Sequence, residues 1–349
     1  MTSAALPKRP ADKGGDDATV RQVVDGLRRL MQHAIPSARD IRFEGLSRSA
    51  GGLSRENWSL DASWSDANGH HAHCLMLMRD AAGTLLKTER TREFAVLKSL
   101  ETSAVAAPVV HWIDPDGRFM GAPSVVMERV SGQCDYLVLN GSRPLAERLG
   151  LARAFLDLLV EIQSVDWHAQ GLGQSLGVPE DLPSRIELAH WQAEYHRVQL
   201  EPHPELDHVL NRLVRTAPQA GAIVLVHGDF KPGNALIEGN RITAKLDWET
   251  AHLGDPLEDL GWITNPVRKR EHQIAGHWER EQIIATWSER TGRKVNDVHL
   301  TWWNLFSCWK LAVIQLTAVN EFVAGRYDRV FQTPSWLFRP MLQMMEGLR

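Results

Sequence analysis

Cysteine is scarce in this chain of 349 residues: Cys74, Cys134 and Cys308 lie far apart and make no C-x-x-C pair. A disulfide framework is thereby excluded, and a reducing compartment fits. Long apolar runs are missing too. No window approaches the roughly 18 consecutive apolar residues of a membrane span. The N-terminal "MTSAALPKRPADKGGDDATV" lacks the apolar core of a secretory signal. A cytoplasmic protein with no membrane partner is expected. Nor is there a large excess of one charge: the formal net charge is −4, so no global positive field recruits nucleic acid. Internal repeats are absent, and the one biased tract is the N-terminus, read as a disordered tail over residues 1–18.

What is present is the composition of an ordinary globular protein, 43% hydrophobic and 23% charged, with length for two or three domains. Tryptophan is abundant, 13 in all. Several (Trp278, Trp287, Trp302, Trp303, Trp309) fall in helical patterns and are read as packing residues, with a wall of an acceptor pocket as the alternative. Val20, Val23, Leu27, Leu30 and Met31 recur at helical intervals and predict a first amphipathic helix. "IRFEGLS", "NWSLDASW" and "HCLMLMR" read as strands, and "KTERTREFAVLKSLE" returns to helical spacing. "APVVHWIDPDGRFMGAPSVVMERV" reads as two strands joined by an Asp-Pro-Asp-Gly turn. Helices are expected at 143–163, 184–198, 205–216, 277–290, 297–324 and 334–347. Short strands "AIVLVH", "NALI" and "ITAKLDW" interrupt them over 222–247. The expected class is α+β, a small antiparallel sheet with one main helix over 19–130 and a mostly helical part over 131–349.

The chemistry is concentrated in "VLVHGDFKPGN" and the segment after it. Asp229 precedes Asn234 by five positions and Asp247 by eighteen. Phosphoryl transfer from ATP needs one carboxylate to orient or deprotonate the attacking hydroxyl, and oxygen ligands for Mg²⁺. Each of the three residues adjoins an apolar strand that offers rigid support. A lone Asp before a turn is most often a cap or an Asx-turn. The joint pattern H-G-D-x-x-x-x-N, then D-W-E after a strand, points instead to a phosphotransferase site.

"HGDFKPGN" and "LDWE" resemble the catalytic loop and metal-binding motif of aminoglycoside-phosphotransferase-like kinases, small-molecule relatives of protein kinases. The wider pattern, "GGLSRENW", "LMR", "REFAVL", "VMERVSG" and "GDPLEDLGW", covers about residues 45–265. It is similar to bacterial phosphotransferases related to the kinase domain joined to acyl-CoA dehydrogenases. The resemblance implies a protein-kinase-like two-lobed fold, with residues 19–130 binding nucleotide and 131–349 carrying the catalytic loop and acceptor-binding helices. It implies Asp229 as catalytic base, Asn234 and Asp247 as Mg²⁺ ligands, and ATP or GTP as donor. It also implies Lys231 as a cation near the γ-phosphate, the alternative being a solvent-facing loop lysine. His227 is read as a residue that holds the loop, and Asp255 and Asp259 as structural, in a helix that braces it.

A kinase fold also needs a phosphate-covering loop, a strand cation and a helix carboxylate. Gly51 and Gly52 are assigned to the loop, with Ser54, Arg55 and Asn57 as further donors. The strand cation is Arg79 in place of the usual lysine, Lys87 being its competitor. Glu93 is its pairing carboxylate, and main-chain groups of Met127, Glu128 and Arg129 are expected to meet adenine.

Only Trp248 to Leu253 separate Asp247 from the "GDP" turn, too short a segment to dock a peptide. Acidic and basic residues nearly balance after residue 271, which argues against a polycationic aminoglycoside. The expected partner is a small molecule with a hydroxyl, such as a hydroxyacyl-CoA or a similar alcohol. An antibiotic (aminoglycoside or macrolide) is the alternative, and a nucleotide-binding pseudokinase is the alternative of another class.

Overall fold

The computed structural model describes residues 17–49, 55–80, 90–326 and 332–348. Most of the tail expected over 1–18 therefore lies outside the described residues, as do Gly51, Gly52, Ser54, Lys87 and the side chain of Arg55. The chain divides into two compact units. One holds the described residues up to Arg90 with Val110–Arg129; the other holds Thr91–Val109 and the described residues from Val130 onward.

In the first unit, helix α1 (Asp17–Ala34) turns Val23, Leu27, Leu30 and Met31 onto a sheet. Strands β1 (Arg39–Ser49), β2 (Arg55–Asp66) and β3 (Gly69–Asp80) are joined by β4 (Val110–Asp114) and β5 (Ser124–Glu128). They form one antiparallel sheet in the order β1-β2-β3-β5-β4. Trp58, Leu60, Ala62 and Trp64 alternate along β2, so all four face the core under α1. The connection from β4 to β5 is longer than an Asp-Pro-Asp-Gly turn. It begins there but runs on to Pro123, because Asp114 Oδ2 accepts the N–H groups of Phe119 (2.9 Å) and Met120 (2.7 Å), drawing Met120 into the core.

The second unit begins with α2 (Arg90–Leu100), apart from its first residue, and continues with α3 (Leu145–Gln163), α4 (Leu172–Leu176), α5 (Pro183–Val198) and α6 (Pro204–Arg215). Strands β6 (Val224–Val226), β7 (Ala235–Glu238), β8 (Arg241–Lys245) and β9 (His252–Gly254) follow. The chain ends in α7 (Leu257–Ile263), α8 (Lys269–His272), α9 (Arg280–Thr291), α10 (Asp297–Val323) and α11 (Phe338–Glu346). Strand β6 pairs with β9 and β7 with β8, both antiparallel. Strand β9 and helices α4 and α8 have no counterpart in the sequence reading, because three to five residues are too few to display a period.

Helix α10 is apolar on most sides, as a central helix must be. Asn296 caps it, accepting the N–H groups of Val298 and His299. Its tryptophans are packing residues with a polar edge. The indole N–H of Trp302 donates to Leu213 O (3.0 Å), that of Trp303 to Asp255 Oδ2 (3.2 Å) and that of Trp309 to Leu206 O (3.2 Å). Helix α7 lies hard against α10 at Gly261, where an added Cβ would fall 2.6 Å from the Cβ of Trp303. That close approach matters because α7 supports the loop described next. No helix among the described residues is long and apolar enough to cross a membrane.

Candidate active site

Strand β6 is completely buried and delivers the chain into His227, Gly228 and Asp229. Gly228 has φ +80°, and a Cβ there would lie 2.7 Å from Thr250 O, so the turn requires glycine. Both Asp259 oxygens, from α7, face this turn: Oδ2 accepts His227 N–H (2.7 Å) and Oδ1 accepts Gly228 N–H (3.0 Å). Burial and the neighbouring Glu258 raise the Asp259 pKa to about 6, against the pull of the two N–H groups. His227 fastens the other side. Its Nδ1 accepts Asp229 N–H (3.2 Å) and its Nε2 meets Leu246 O (3.0 Å), while burial and then Lys245 hold the ring neutral. His227, Asp255 and Asp259 thus brace the loop: Asp255 accepts the Leu257 N–H at the start of α7.

The polar groups converge beyond this support. Asn234 Nδ2 donates to Asp229 Oδ2 (2.9 Å) and to Asp229 O (3.2 Å), and Lys231 Nζ donates to the same Oδ2 (2.5 Å). Lys231 therefore turns to the carboxylate and not to bulk solvent. The Asp229 side chain is still 21% exposed. Burial would raise its pKa, but the charges of Lys231, Arg268 and Lys245 and the Lys231 hydrogen bond hold it well below the ordinary carboxylate range. Leu246 N–H donates to Asn234 O (2.8 Å), so Asp247 follows directly on a strand end fixed to the loop. Asp247 has φ +67°, a left-handed conformation costly for a residue with a Cβ and typical of functional sites.

Asn234 commits its amide nitrogen to Asp229, which leaves its oxygen as the remaining donor atom. With the Asp247 carboxylate this makes a hard oxygen set, suited to Mg²⁺ and not to softer metals.

Several residues at the site were not singled out from the sequence. Lys245, at the end of β8, is completely buried, lies 5.1 Å from the Phe230 ring centroid and donates to Asn234 O (2.9 Å). Burial lowers its pKa to about 7, opposed by Asp229 and Asp247. Under the loop, Lys310 Nζ of α10 donates to Gly228 O (3.0 Å) and lies 3.5 Å from Glu187 and 3.8 Å from Glu258. His252 of β9 completes the cluster, 3.0 Å from Glu258 and 3.8 Å from Glu187. A lone lysine in the apolar run of α10 was the available signal for this cluster; the other members carry none in sequence.

Burial would lower the His252 pKa, but Glu258 and Glu187 outweigh it and raise the value to about 10. A histidine whose folded pKa exceeds its unfolded value of about 6.5 stabilises the fold fully below that pH. The contribution is lost as pH rises through about 10. The stability gap between the wild type and His252→Gln should therefore be widest below about pH 6.5 and shrink as pH rises toward about 10. Urea midpoints measured across that window check this; a gap that widens with pH contradicts it.

In the first unit, Asn57 and Arg79 stand on adjacent strands, since Glu56 pairs with Arg79 and Asn57 with Met78 in the β2–β3 register. Arg79 Nη1 lies 3.5 Å from Glu56 Oε2. Arg129 N–H donates to Cys74 O (2.8 Å), so it is committed to the sheet, and Met127 is buried in β5. Glu128 accepts from two histidines considered below. Glu93 belongs to the second unit; it is 2% exposed, not a surface acid of α2.

Known proteins share both the sequence pattern and the fold. Acyl-CoA dehydrogenase family member 10 of Mus musculus is 30% identical over 196 residues, covering 54% of this chain and 18% of that protein. Family member 11 of Rattus norvegicus is 28% identical over 273 residues, 72% of this chain and 34% of that protein. The chain thus spans about a third or less of these relatives' length. Among solved structures, a Ralstonia eutropha protein matches with TM-score 0.68 at 21% identity, covering 93% of this chain and 96% of that one. A thermostable variant of aminoglycoside phosphotransferase APH(4)-Ia, in a ternary complex with AMP-PNP and hygromycin B, matches with TM-score 0.57 at 16% identity, covering 92% and 98%. At these identities the structural likeness concerns the fold, which is the two-lobed α+β fold of kinase-like phosphotransferases. The model of the phosphotransferase enzyme family APH matches residues 66–292, the span that contains the whole Asp229 constellation, and the chain belongs to that family of enzymes.

Proposed function

We propose that this phosphotransferase moves the γ-phosphate of ATP to a hydroxyl of a small molecule, with Asp229 as the base. The carrying observation is the convergence of Lys231 and Asn234 on one oxygen of Asp229, on a loop held from below by Asp259. An Asp229 carboxylate kept ionised accepts a hydrogen bond from the acceptor hydroxyl, orients its oxygen toward phosphorus and receives its proton as the new bond forms. Lys231 stabilises negative charge on the transferring group. Asn234 and Asp247 would hold Mg²⁺, which when bound neutralises charge on the phosphates.

Residues 19–130 are proposed to bind the nucleotide and 131–349 to carry catalysis and acceptor binding. Gly51, Gly52, Ser54, Asn57 and Arg79 are assigned to the phosphates. Main-chain groups in the Met127–Arg129 segment are assigned to adenine, although the Arg129 N–H is committed to Cys74 O and Met127 lies in the ladder opposite Met76 and Val110. Arg79→Ala should raise the KM for ATP by at least about tenfold, the loss of one charged hydrogen-bonded contact, whereas Lys87→Ala should leave it near wild type. Steady-state kinetics at varied ATP decide, and the reverse result transfers the anchoring role to Lys87.

A hydroxyacyl-CoA or similar alcohol is the proposed acceptor, supported by the likeness to acyl-CoA dehydrogenase family members 10 and 11. The fold-level likeness to an aminoglycoside and a macrolide phosphotransferase supports an antibiotic as the second reading. Cytoplasmic location fits either. ADP release measured with Mg²⁺ and ATP against hydroxyacyl-CoAs, free hydroxy acids and antibiotics separates them. Turnover with none of these would remove the acceptor assignment.

A further inference from the structure

We propose that His73, His111 and Glu128 form a binding site for a transition-metal ion of the Zn²⁺ type, distinct from the oxygen site of the catalytic loop. The three residues come from β3, β4 and β5, which lie side by side in the order β3-β5-β4. His73 Nδ1 and His111 Nε2 both reach Glu128 Oε1, at 2.7 Å and 2.9 Å. One donor atom from each residue falls within 4.8 Å of the others.

The strand register explains how His111 arrives there. Pairing between β4 and β5 slips between Val110 and Trp112, and such an irregularity re-aims the side chain it carries. The rings are then held in place by packing. His73 stacks on Trp64 with centroids 5.1 Å apart and planes 16° apart. His111 stands edge-on to His73 at 5.0 Å and tilts against Trp112 at 5.4 Å. Trp64 and Trp112 are buried in the core of the first unit, so the imidazoles rest on a rigid floor.

The other cluster with a comparable donor set, Glu187, His252 and Glu258, already contains its cation, the ammonium of Lys310. Glu128 differs: among the described residues no lysine or arginine pairs with it. The three side chains are 19–29% exposed, so an ion can reach them from solvent. Two imidazoles and one carboxylate are a ligand set used by zinc, with a fourth position left for water. Metal–ligand bonds of about 2.0–2.1 Å place tetrahedral donors roughly 3.3 Å apart. The two nitrogen–carboxylate distances therefore need to lengthen by roughly half an ångström to admit the ion, with the ligating ring nitrogens carrying no proton.

The test is a Co²⁺ titration of the full chain without a histidine tag, followed by its visible d–d absorption and by displacement with Zn²⁺. One saturable equivalent is expected, unaffected by excess Mg²⁺ because imidazole ligands do not suit that ion. His73→Ala and His111→Ala should each weaken binding by at least the roughly tenfold seen when even an outer-sphere partner is lost. His70→Ala, at an exposed histidine of the same strand, should not. Metal-free circular dichroism establishes that the variants are folded, and His111→Gln replaces His111→Ala if it is not. No saturable binding, binding that survives both substitutions, or equal loss on His70→Ala overturns the proposal.

Discussion

Asp229→Asn is expected to lower turnover by about 10³-fold, in the middle of the range for loss of a general base, while ATP still binds. The amide keeps the shape of the side chain, and its oxygen still accepts the Asn234 Nδ2 hydrogen bond seen at 2.9 Å. The loop remains fixed through His227 and Gly228, whose N–H groups are held by Asp259 and not by Asp229. What disappears is the negative charge and the capacity to take a proton. Single-turnover ADP formation, compared with equilibrium nucleotide binding, separates the two effects. A variant that turns over like wild type would remove Asp229 from the chemistry and with it the proposed mechanism.

Lys310→Met should destabilise the fold by about 3–5 kcal/mol, the range for breaking a buried ion pair by removing one partner. Lys310 is 2% exposed and stands between Glu187 and Glu258, so two buried carboxylates lose a neighbouring positive charge once the ammonium is gone. Gly228 O also loses its donor, directly before Asp229. Methionine keeps a side chain of similar length but removes the ammonium that lies 4.9 Å and 5.5 Å from the Trp191 and Trp262 ring centroids, so the loss reports charge and hydrogen bonding more than volume. Adding Glu258→Gln to this variant should recover part of the stability by removing the uncompensated charge. Urea unfolding measures both. A single variant within roughly 1 kcal/mol of wild type would mean that the cluster contributes little.

The first unit, helix α1 with the strands β1 to β5, was legible because its signals are local. Trp58, Leu60, Ala62 and Trp64 alternate within one strand, and Val23, Leu27 and Leu30 repeat within one helix. The turn after Asp114 was read too short, since its length depends on a carboxylate accepting N–H groups five and six residues ahead. Strand β9 escaped notice because its three residues are defined only by their partner β6.

The same division runs through the active site. By itself, the sequence determined the reaction class. The spacing of Asp229, Asn234 and Asp247, the proposed base and Mg²⁺ ligands, is carried by contiguous loop and strand residues and is visible before folding. It also favoured packing for the late tryptophans over a wall of an acceptor pocket, and Trp302, Trp303 and Trp309 are buried in α10. His227 and Asp259 were read from the sequence as supports of the loop, but only the tertiary structure decided what charge surrounds it. Lys245 and Lys310 read as ordinary lysines until folding buries them, one on Asn234 O and the other on Gly228 O. Glu187, His252, Glu258 and Lys310 come from α5, β9, α7 and α10, and no local period links them. Their pairing follows from Coulomb attraction after burial, when ions stripped of water must find one another, and that condition exists only in the folded chain.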